Sequence, residues 1–344
     1  MCGIAGIYSK NKSPELLSKI AKSMANTIFH RGPDDSGVWC KESMALSHQR
    51  LSILDLSKSG HQPMKSHCDR YTLVFNGEIY NHHLIKKELN ILNNKILWNG
   101  ESDTEVLLSA ITSWGIEKAL QRCEGMFALA LWDNVAKKLF LARDRFGEKP
   151  LYYGYVKNDF VFASELKALK IHPEFNNELN RAAIAKYLKF SYVPHPLSIF
   201  KGISKLPPAH ILCMNFNNNS EAIFPYWTLS STVNTNYSNY DSIIETLHNN
   251  LNKSVADQMV ADVPVGAFLS GGIDSSLIVS LMQKNSKRPI NTFTIGYQDT
   301  VYDESLYASS VAQHLGTNHT ELIVSPQDLL SVVPKLPSLY DEPF

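Results

Sequence analysis

The pattern of apolar residues changes near residue 215 of this 344-residue chain, and the change predicts two domains of different classes. Before it, short runs of β-type residues follow one another with few helical stretches, which is typical of a β-rich α+β domain. After about residue 240, strand-length runs alternate with helical periodicity, which predicts a parallel α/β sheet. The stretch between is rich in Asn and Ser and is interpreted as a linker. The predicted boundaries are therefore 2–215, 216–240 and 241–344.

Turn residues in the first domain separate runs that predict strands at 3–8, 45–54, 71–75, 127–132, 138–143, 151–155 and 160–164. Apolar residues at three- and four-residue spacing predict a helix with Ser13 as its N-cap and Pro14 at its first position. A second helix is predicted over 104–114. The pair Asn76-Gly77 is typical of a hairpin turn and is predicted to follow the third strand.

Strands and helices are predicted to alternate throughout the second domain. The order is a helix through 243–255, a strand at 265–269, a helix at 277–283, a strand at 291–295, a helix ending near 315 and a strand at 320–324. The stretch 241–344 is short for a doubly wound nucleotide-binding domain.

Composition argues against several classes of function. Lys and Arg total 33 and Asp and Glu total 33, so the chain has no net charge with which to attract nucleic acid or an anionic membrane. The longest apolar run, near 126–132, is far shorter than the ~20 residues of a membrane-spanning helix. The first residues lack the features of a secretory signal, so a cytoplasmic location is predicted. Five cysteines without a Cys-x-x-Cys pair argue against structural zinc and a disulfide framework.

Cysteine at position 2 is a candidate nucleophile. Removal of Met1 would leave Cys2 with both a thiol and a free α-amine, whose ordinary pKa of about 7.7–8.0 suits a general base. A thiolate formed in this way could attack a carbonyl carbon while the amine carries the proton to the leaving group. Taken alone, a cysteine at this position is more often accidental than catalytic, so the neighbouring motifs decide the interpretation.

A Gly-rich loop in the second domain is a candidate phosphate site. The segment 265–277 places Ser270-Gly271-Gly272 directly between a predicted strand and a predicted helix, where backbone N–H groups and the positive helix end can bind phosphate. No Gly-Lys-Ser/Thr follows, so the loop is not of the Walker type. The alternative is a Ser/Gly turn that caps the helix.

Six motifs together give the chain a resemblance to a known family. In the family's order they resemble the class II glutamine amidotransferase domain of glutamine-hydrolysing asparagine synthetases, and the resemblance extends through the second half of the chain. The motifs are Met-Cys-Gly-Ile-Ala-Gly at 1–6, His-Arg-Gly-Pro-Asp-Asp at 30–35, His-Gln-Arg-Leu-Ser-Ile at 48–53, Phe-Asn-Gly-Glu-Ile-Tyr-Asn at 75–81, Ser-Asp-Thr-Glu at 102–105 and Arg-Asp-Arg-Phe-Gly-Glu-Lys-Pro-Leu-Tyr-Tyr at 143–153. The resemblance implies an α+β N-terminal nucleophile domain followed by an α/β ATP pyrophosphatase-type domain.

The resemblance implies a role for each candidate residue in the first domain. Cys2 would attack the glutamine amide, while the side chain of Asn76 and the backbone N–H of Gly77 would form the oxyanion hole. Glutamine itself would be bound by the residues Arg50 (at its α-carboxylate), Asp103 (at its α-ammonium), Asn76, Gly77 and Glu78. Alone, Asn76-Gly77 could be a turn, Asp103 a helix cap and Arg50 part of a surface ion pair.

The resemblance also implies an ATP site in the second domain. Pyrophosphate would be held by Ser270, Gly271, Gly272, Ser275 and Ser276, and Asp274 would coordinate Mg²⁺. Leu269 and Ile295, on adjacent parallel strands, would contact the adenosine. ATP and Mg²⁺ are thus the expected cofactors. The carboxylates of Asp303 and Glu304 are interpreted as helix caps.

The predicted reaction transfers ammonia from glutamine to a β-aspartyl adenylate, giving asparagine, AMP and pyrophosphate. Two alternatives stay open: amidation of another carboxylate, such as a uronic acid of a surface polysaccharide, and glutaminase activity alone. The family carries a second Ser- and Gly-rich signature after its Asp-Glu-Pro region, and this chain ends before it, so the second domain is expected to be C-terminally truncated. The expected partners are glutamine and aspartate or another carboxylate, without nucleic acid or membrane, and a homodimer is one assembly that the resemblance allows.

Overall fold

A computed structural model describes residues 1–92, 96–229, 239–298 and 303–343. The chain divides into two compact units, Met1–Val233 with Asp341–Phe344, and Asn234–Tyr340. The first unit therefore ends later than the predicted residue 215, and residues 230–238 of the predicted linker lie outside the described residues. None of the helices in the described ranges combines the length and apolar character that crossing a membrane requires.

The first unit is built from strands and a few helices. Its strands are β1 (Gly3–Tyr8), β2 (Asp35–Lys41), β3 (Met44–Arg50), β4 (Met64–Lys65), β5 (Tyr71–Ile79), β6 (Gly125–Asp133), β7 (Lys138–Arg143), β8 (Tyr152–Val156), β9 (Asp159–Ala163), β10 (Ile203–Lys205), β11 (His210–Asn215) and β12 (Ser220–Pro225). Its helices are α1 (Pro14–Thr27), α2 (His82–Leu92), α3 (Asp103–Trp114), α4 (Ile116–Arg122), α5 (Leu166–Leu169) and α6 (Arg181–Phe190), with 3₁₀ turns at Phe29–Arg31 and Lys58–Gly60.

Two six-stranded sheets face each other between layers of helices. Their strand orders are β10-β8-β9-β1-β3-β2 and β12-β11-β7-β6-β5-β4. In β1, Ile4 packs between the sheets while Ala5 and Ile7 pack against α1; in β5, Val74 packs between the sheets while Phe75 packs against α3. Alternate residues of one strand thus enter different cores, as the two-residue period of a strand requires. The prediction of an α+β N-terminal domain is confirmed.

The first predicted helix begins as its sequence indicates. Ser13 accepts a hydrogen bond from the Leu16 N–H and Pro14 is the first residue of α1, so both predictions are confirmed. The helix buries Leu17, Ile20 and Met24 against β1 and β3. This packing holds β1, which begins directly after Cys2, against α1.

Two local predictions differ from the structure. Asn76-Gly77 forms no turn: β5 runs through to Ile79, and Gly77 lies opposite Phe127 of β6. The cross-strand partner overrides the turn preference of this pair, and a Cβ at Gly77 would overlap the Met126 carbonyl oxygen. Part of the predicted linker also forms β12, which pairs with β11 from His210 to Asn215 through backbone hydrogen bonds that need few apolar side chains.

The second unit is an α/β unit with a parallel sheet ordered β13-β14-β15, which confirms the predicted class. Its elements are α7 (Tyr240–Gln258), β13 (Gly266–Phe268), α8 (Ile273–Asn285), β14 (Asn291–Tyr297), α9 (Ser305–Leu315), β15 (Asn318–Val324), α10 (Pro326–Val332) and α11 (Leu336–Leu339), with a 3₁₀ turn at Val333–Lys335. Helices α8 and α9 enclose a core that includes Leu269, Val279 and Ala308. On the opposite face, Phe293 and Ile295 of β14 are 42% and 50% exposed.

Candidate active site

All six residues predicted to bind glutamine or to act on its amide line one pocket of the first unit. They are Cys2, Arg50, Asn76, Gly77, Glu78 and Asp103. Strand pairing brings the first two together, because Gly3 of β1 lies opposite Gln49 of β3. The neighbouring part of β5 supplies the next three, and the first residue of α3 supplies the last. Residues far apart in sequence therefore converge where β1 begins.

The Cys2 thiol is held against the backbone of Leu51. Its Sγ lies 3.6 Å from the Leu51 carbonyl oxygen, to which it donates, and 3.4 Å from the Leu51 N–H, from which it accepts. Arg31 Nε donates to the Cys2 carbonyl at 2.9 Å, and the same guanidinium pairs with Glu165 at 2.8 Å. Burial raises the pKa of the Cys2 thiol, so forming a thiolate here needs a base close by.

Asn76 is fully buried in the pocket wall, yet its amide is unpaired. Within the described ranges neither Asn76 Nδ2 nor Asn76 Oδ1 has a hydrogen-bond partner. A buried amide without partners is costly, because it has lost its water without regaining hydrogen bonds. Such a group can donate to a negative oxygen that develops in the pocket.

The backbone N–H of Gly77 leaves β5 at the edge that faces away from β6. Phe75 N donates to Gln62 Oε1 at 2.7 Å and Ile79 N donates to Asp103 Oδ2 at 2.9 Å, so these N–H groups leave β5 at one edge. Gly77 lies between them, and alternate N–H groups of a strand share an edge. Across the ladder, Phe127 uses its N–H and carbonyl for Asp144. Asn76 and Gly77 thus supply two donors at the pocket wall.

Arg50 is 6% exposed and is fixed by backbone carbonyls. Its guanidinium donates to the Ser57 carbonyl at 2.8 Å and to the Asp55 carbonyl. This burial is inconsistent with the alternative of a surface ion pair. Gly60 lies against the guanidinium so closely that a Cβ would overlap it. A fixed guanidinium fork in a pocket suits recognition of a carboxylate.

Gly60→Ala should displace this guanidinium. If Arg50 binds the α-carboxylate of glutamine as the resemblance implies, the added methyl group would occupy the position of its guanidinium, and we expect the KM for glutamine to rise about 10- to 100-fold, which corresponds to about 1.5–3 kcal/mol for hydrogen bonds to a charged group. Initial-rate measurements of glutamate release would give kcat and KM separately. Ser59→Ala, which removes only the hydroxyl that donates to the Asn99 carbonyl, is the control and should leave KM unchanged. An unaltered KM in Gly60→Ala would contradict the role of Arg50.

Asp103 faces the pocket instead of capping its helix. The cap of α3 is Ser102, whose hydroxyl accepts from the Thr104 N–H at 3.2 Å. Burial raises the pKa of Asp103 to about 6, although the Ile79 and Thr104 N–H groups lower it. Burial also raises the pKa of Glu78, followed by the charge of Asp103. Two carboxylates with raised pKa values in one pocket favour a cationic group, which would restore their ionised forms.

Sequence reasoning did not assign the remaining residues of the pocket wall. Gln62 joins β5 to α3, because its Oε1 accepts from Phe75 N and its Nε2 donates to Thr104 Oγ1 at 3.4 Å. Lys149 lies inside the motif at 143–153, which was the only signal for it. The others unassigned are Met1, Leu51, Ile53, Leu54, Gly60, Phe75, Ser102 and Thr104.

The loop between β13 and α8 has the features of an anion site. Gly272 is the N-cap of α8 and offers no side chain to the N–H groups of the first turn, while its own N–H donates to Ser270 Oγ at 3.3 Å. Gly271 has a φ of +78°, which bends the loop back towards the helix. Ser270 Oγ and Ser275 Oγ are 2.9 Å apart, and the buried Ser276 Oγ has no partner within the described ranges. This donor set fits a phosphate group.

Asp274 and the two predicted adenosine contacts lie around this loop. Asp274 is exposed in the first turn of α8, where a carboxylate can reach a cation bound to phosphate. Leu269 is buried directly after β13, and its carbonyl accepts from the Thr294 hydroxyl of β14. Ile295 lies on β14 but two residues before its end. Asp303 accepts from the Ser305 N–H at 3.1 Å, as a capping side chain does, whereas Glu304, the N-cap residue of α9, makes no side-chain capping hydrogen bond, so its interpretation as a cap is wrong.

A metal-like cluster elsewhere in the first unit is already neutralised. Asp159, His172 and Glu174 lie close enough to share an ion. Lys12 Nζ, however, is 2.5 Å from Asp159 Oδ2 and 3.6 Å from Glu174 Oε2. The ammonium group thus takes the place that a cation would need.

The facing sheets and the pocket at the start of β1 define the first unit as a glutamine amidotransferase domain of the N-terminal nucleophile class. The glutamine amidotransferase domain family matches residues 1–227, and the asparagine synthase family matches residues 246–344. The chain belongs to the glutamine-hydrolysing asparagine synthetases. It joins the amidotransferase domain of that family to a synthetase domain.

Named relatives agree with this assignment. Asparagine synthetase [glutamine-hydrolyzing] 3 of Bacillus subtilis is 33% identical over 99% of this chain and 58% of its own length. Putative asparagine synthetase [glutamine-hydrolyzing] 2 of Methanocaldococcus jannaschii is 34% identical over 100% of this chain and 69% of its own length. The chain thus spans between about half and two thirds of the length of such curated relatives.

A solved structure shares the fold. Glutamine phosphoribosylpyrophosphate amidotransferase of Bacillus subtilis aligns with a TM-score of 0.50 at 15% sequence identity, covering 96% of this chain and 92% of that one. At this identity the likeness concerns the fold alone.

Proposed function

We propose that the chain is a glutamine-dependent asparagine synthetase. Glutamine, aspartate, ATP and water would give glutamate, asparagine, AMP and pyrophosphate. The observation that carries the glutamine half is the buried amide of Asn76, which has no partner among the described residues and lines the same pocket as Cys2. Family membership supports the synthetase half. The cytoplasmic location and a homodimer stay predictions.

Glutamine hydrolysis would begin with recognition of the amino-acid end of the substrate. Arg50 would pair with the α-carboxylate, while Asp103 and Glu78 would receive the α-ammonium. The raised pKa of Asp103, about 6, would fall on binding, because a neighbouring positive charge favours the carboxylate. The two ends of the substrate would thus fix the position of its side-chain amide relative to Cys2.

The chemistry would then take place at the amide carbon. After removal of Met1, the α-amine of Cys2 would accept the thiol proton as Sγ bonds to the carbonyl carbon. Asn76 Nδ2 and Gly77 N–H would donate to the oxygen as it becomes negative. The C–N bond would break as the amine returns the proton to the leaving ammonia, and water would hydrolyse the thioester to glutamate.

The second unit would hold ATP. Ser270, Ser275, Ser276 and the N–H groups at Gly271 and Gly272 would bind its phosphates, and Asp274 would ligate Mg²⁺. When bound, Mg-ATP supplies the adenylate that activates the acceptor carboxylate. Leu269 and Ile295 would contact the adenosine. The acceptor is proposed to be aspartate, and another carboxylate such as a uronic acid stays an alternative.

One assay tests both halves. After mass spectrometry establishes that Met1 is absent, glutamate release is measured together with AMP and pyrophosphate release from Mg-ATP, with and without aspartate. Glutamate and aspartate-dependent AMP together would support the full proposal. Glutamate release without AMP release would mean that the chain has glutaminase activity but no synthetase activity. The exposed apolar face of β14 in the second unit is the reason to test for this outcome. Absence of glutamate release would contradict the glutamine half.

Asp274→Asn should weaken the second site. Loss of one negative charge from the metal position should reduce Mg²⁺-dependent ATP binding and pyrophosphate release by about 10²- to 10³-fold. Asp257→Asn on α7 is the matched control, since Asp257 pairs with Lys253 one turn away on the same helix, and it should leave both quantities unchanged. Equal ATP affinity with and without Asp274 would remove this residue from the site.

A further inference from the structure

Lys149 is a cationic side chain in the wall of the glutamine pocket to which the proposed reaction gives no role. It is 4% exposed and lines the pocket with Cys2, Asn76 and Asp103. Its backbone is fixed at both polar groups: the N–H donates to Asp144 Oδ2 at 3.0 Å and the carbonyl accepts from Arg143 Nε at 2.7 Å. The backbone from which the ammonium group extends is therefore held by the loop.

The acceptor that the structure gives this ammonium belongs to Met1, the residue that must be removed before the proposed reaction can start. Lys149 Nζ lies 3.0 Å from Met1 Sδ, and a thioether is a weak acceptor. Met1 itself lines the pocket. When Met1 leaves, the chain's α-amine is on Cys2 and the volume that the thioether filled is open. A buried ammonium then lacks this acceptor, which is costly unless another replaces it.

In the structure the N-terminal amine is that of Met1, one residue before Cys2, and the charges around it have both signs. Arg31 and Lys149 are the positive groups facing it, and Glu78 and the thiol of Cys2 are the negative or ionisable ones. Burial lowers the pKa of this amine most; Arg31 and Lys149 lower it further, while Cys2 and Glu78 raise it. Burial likewise lowers the pKa of Lys149, and Glu78, Glu148 and Asp144 oppose that effect.

Two ammonium groups close together repel each other, so a charged Lys149 disfavours the protonated form of an α-amine beside it. A neutral amine can accept a hydrogen bond from Lys149 Nζ, whereas a protonated amine would repel it. The neutral form is also the form that can take a proton from the Cys2 thiol. The same positive charge therefore stabilises the state from which the reaction starts.

We propose that Lys149 is a positioning residue that keeps the Cys2 α-amine unprotonated and oriented towards the thiol, replacing its contact with Met1 by one with the amine. The inference rests on the proposed glutaminase reaction. It adds to that reaction a positive charge that keeps the general base in its neutral form.

The test is the pH dependence of kcat for glutamate release at saturating glutamine. Saturation is needed because Asp103, whose pKa is about 6 in the free pocket, would otherwise contribute to the acid limb. In Lys149→Met, loss of the positive charge should move the acid limb to higher pH by about one unit. The sign is the same for the amine and the thiol, because a cation lowers both pKa values and its removal raises both.

Two further variants make the outcome decisive. Lys149→Arg keeps the charge and should retain an acid limb close to that of the unmodified chain. Lys12→Met removes a lysine held by Asp159, and Lys12 is not among the charges facing the amine, so its limb should not move. An active but unshifted Lys149→Met, or an equal shift in Lys149→Arg, would overturn the inference. An unmodified chain that releases no glutamate would instead contradict the proposed function; circular dichroism verifies that each variant is folded.

Discussion

Cys2→Ala should reduce glutamate release from glutamine by at least about 10⁴-fold, because the atom that bonds to the amide carbon is lost. The substitution keeps a small residue at position 2, so Met1 removal and the α-amine are preserved. The lost contacts are those of Sγ with the Leu51 backbone, and the fold should persist. Coupled assay of glutamate, with circular dichroism of the same sample, separates loss of chemistry from loss of structure.

A second cysteine provides the matched control. Cys40 is also half-buried and its thiol donates to the Pro14 carbonyl at 3.3 Å, but it does not line the pocket. Cys40→Ala should therefore retain full glutaminase activity. If the synthetase half works, free ammonia should restore aspartate-dependent AMP release in Cys2→Ala. Glutamine hydrolysis above one per cent of the unmodified rate in Cys2→Ala would refute the assignment of the nucleophile.

Local signals in the sequence were sufficient where a structural feature depends on a few neighbouring residues. Ser13 and Pro14 determine the start of α1 through one hydrogen bond and one fixed φ angle, and both were predictable. The alternation of strands and helices after residue 240 likewise predicted the parallel sheet. In each case the determinants lie within a few residues of the feature.

Features that depend on distant residues were less accessible. Asn76-Gly77 has the composition of a turn, and only its pairing with β6 makes it part of a strand. The importance of Gly60 follows from its approach to the Arg50 guanidinium, which the nine residues between them in the sequence do not reveal. Lys149 faces the pocket because a loop is anchored by Asp144 and Arg143. The motifs marked these segments, but not what each side chain contacts.

The residues proposed to bind the amino-acid end of glutamine are fixed by hydrogen bonds, whereas the asparagine proposed to act on its amide is not. Arg50 and Asp103 have hydrogen bonds to backbone groups, and Gln62 joins β5 to α3, the helix that begins with Asp103. Asn76 has none within the described ranges. This distribution is expected if stability is given up where a developing charge has to be bound. It also makes the effects of substitutions on stability and on rate separable.

Asn76→Ala should lower kcat for glutamate release by about 10²- to 10³-fold with little change in KM, because Nδ2 would act on the oxygen only as it becomes negative. The same variant should be as stable as the unmodified chain or more stable, since the buried amide that it removes makes no hydrogen bond to any residue that the structure describes. Thermal unfolding and steady-state kinetics on one preparation measure both effects. A parallel loss of stability and rate would indicate a structural role instead.

Asn81→Ala should show the opposite pair of effects. Asn81 Nδ2 donates to the Arg122 carbonyl at 2.9 Å and its Oδ1 accepts from the Glu124 N–H at 2.9 Å, while the side chain lies outside the pocket wall. Its loss should lower the free energy of unfolding by about 1–2 kcal/mol and leave kcat unchanged. Two asparagines five residues apart would then separate rate from stability, because one amide is satisfied by the fold and the other is left for the substrate.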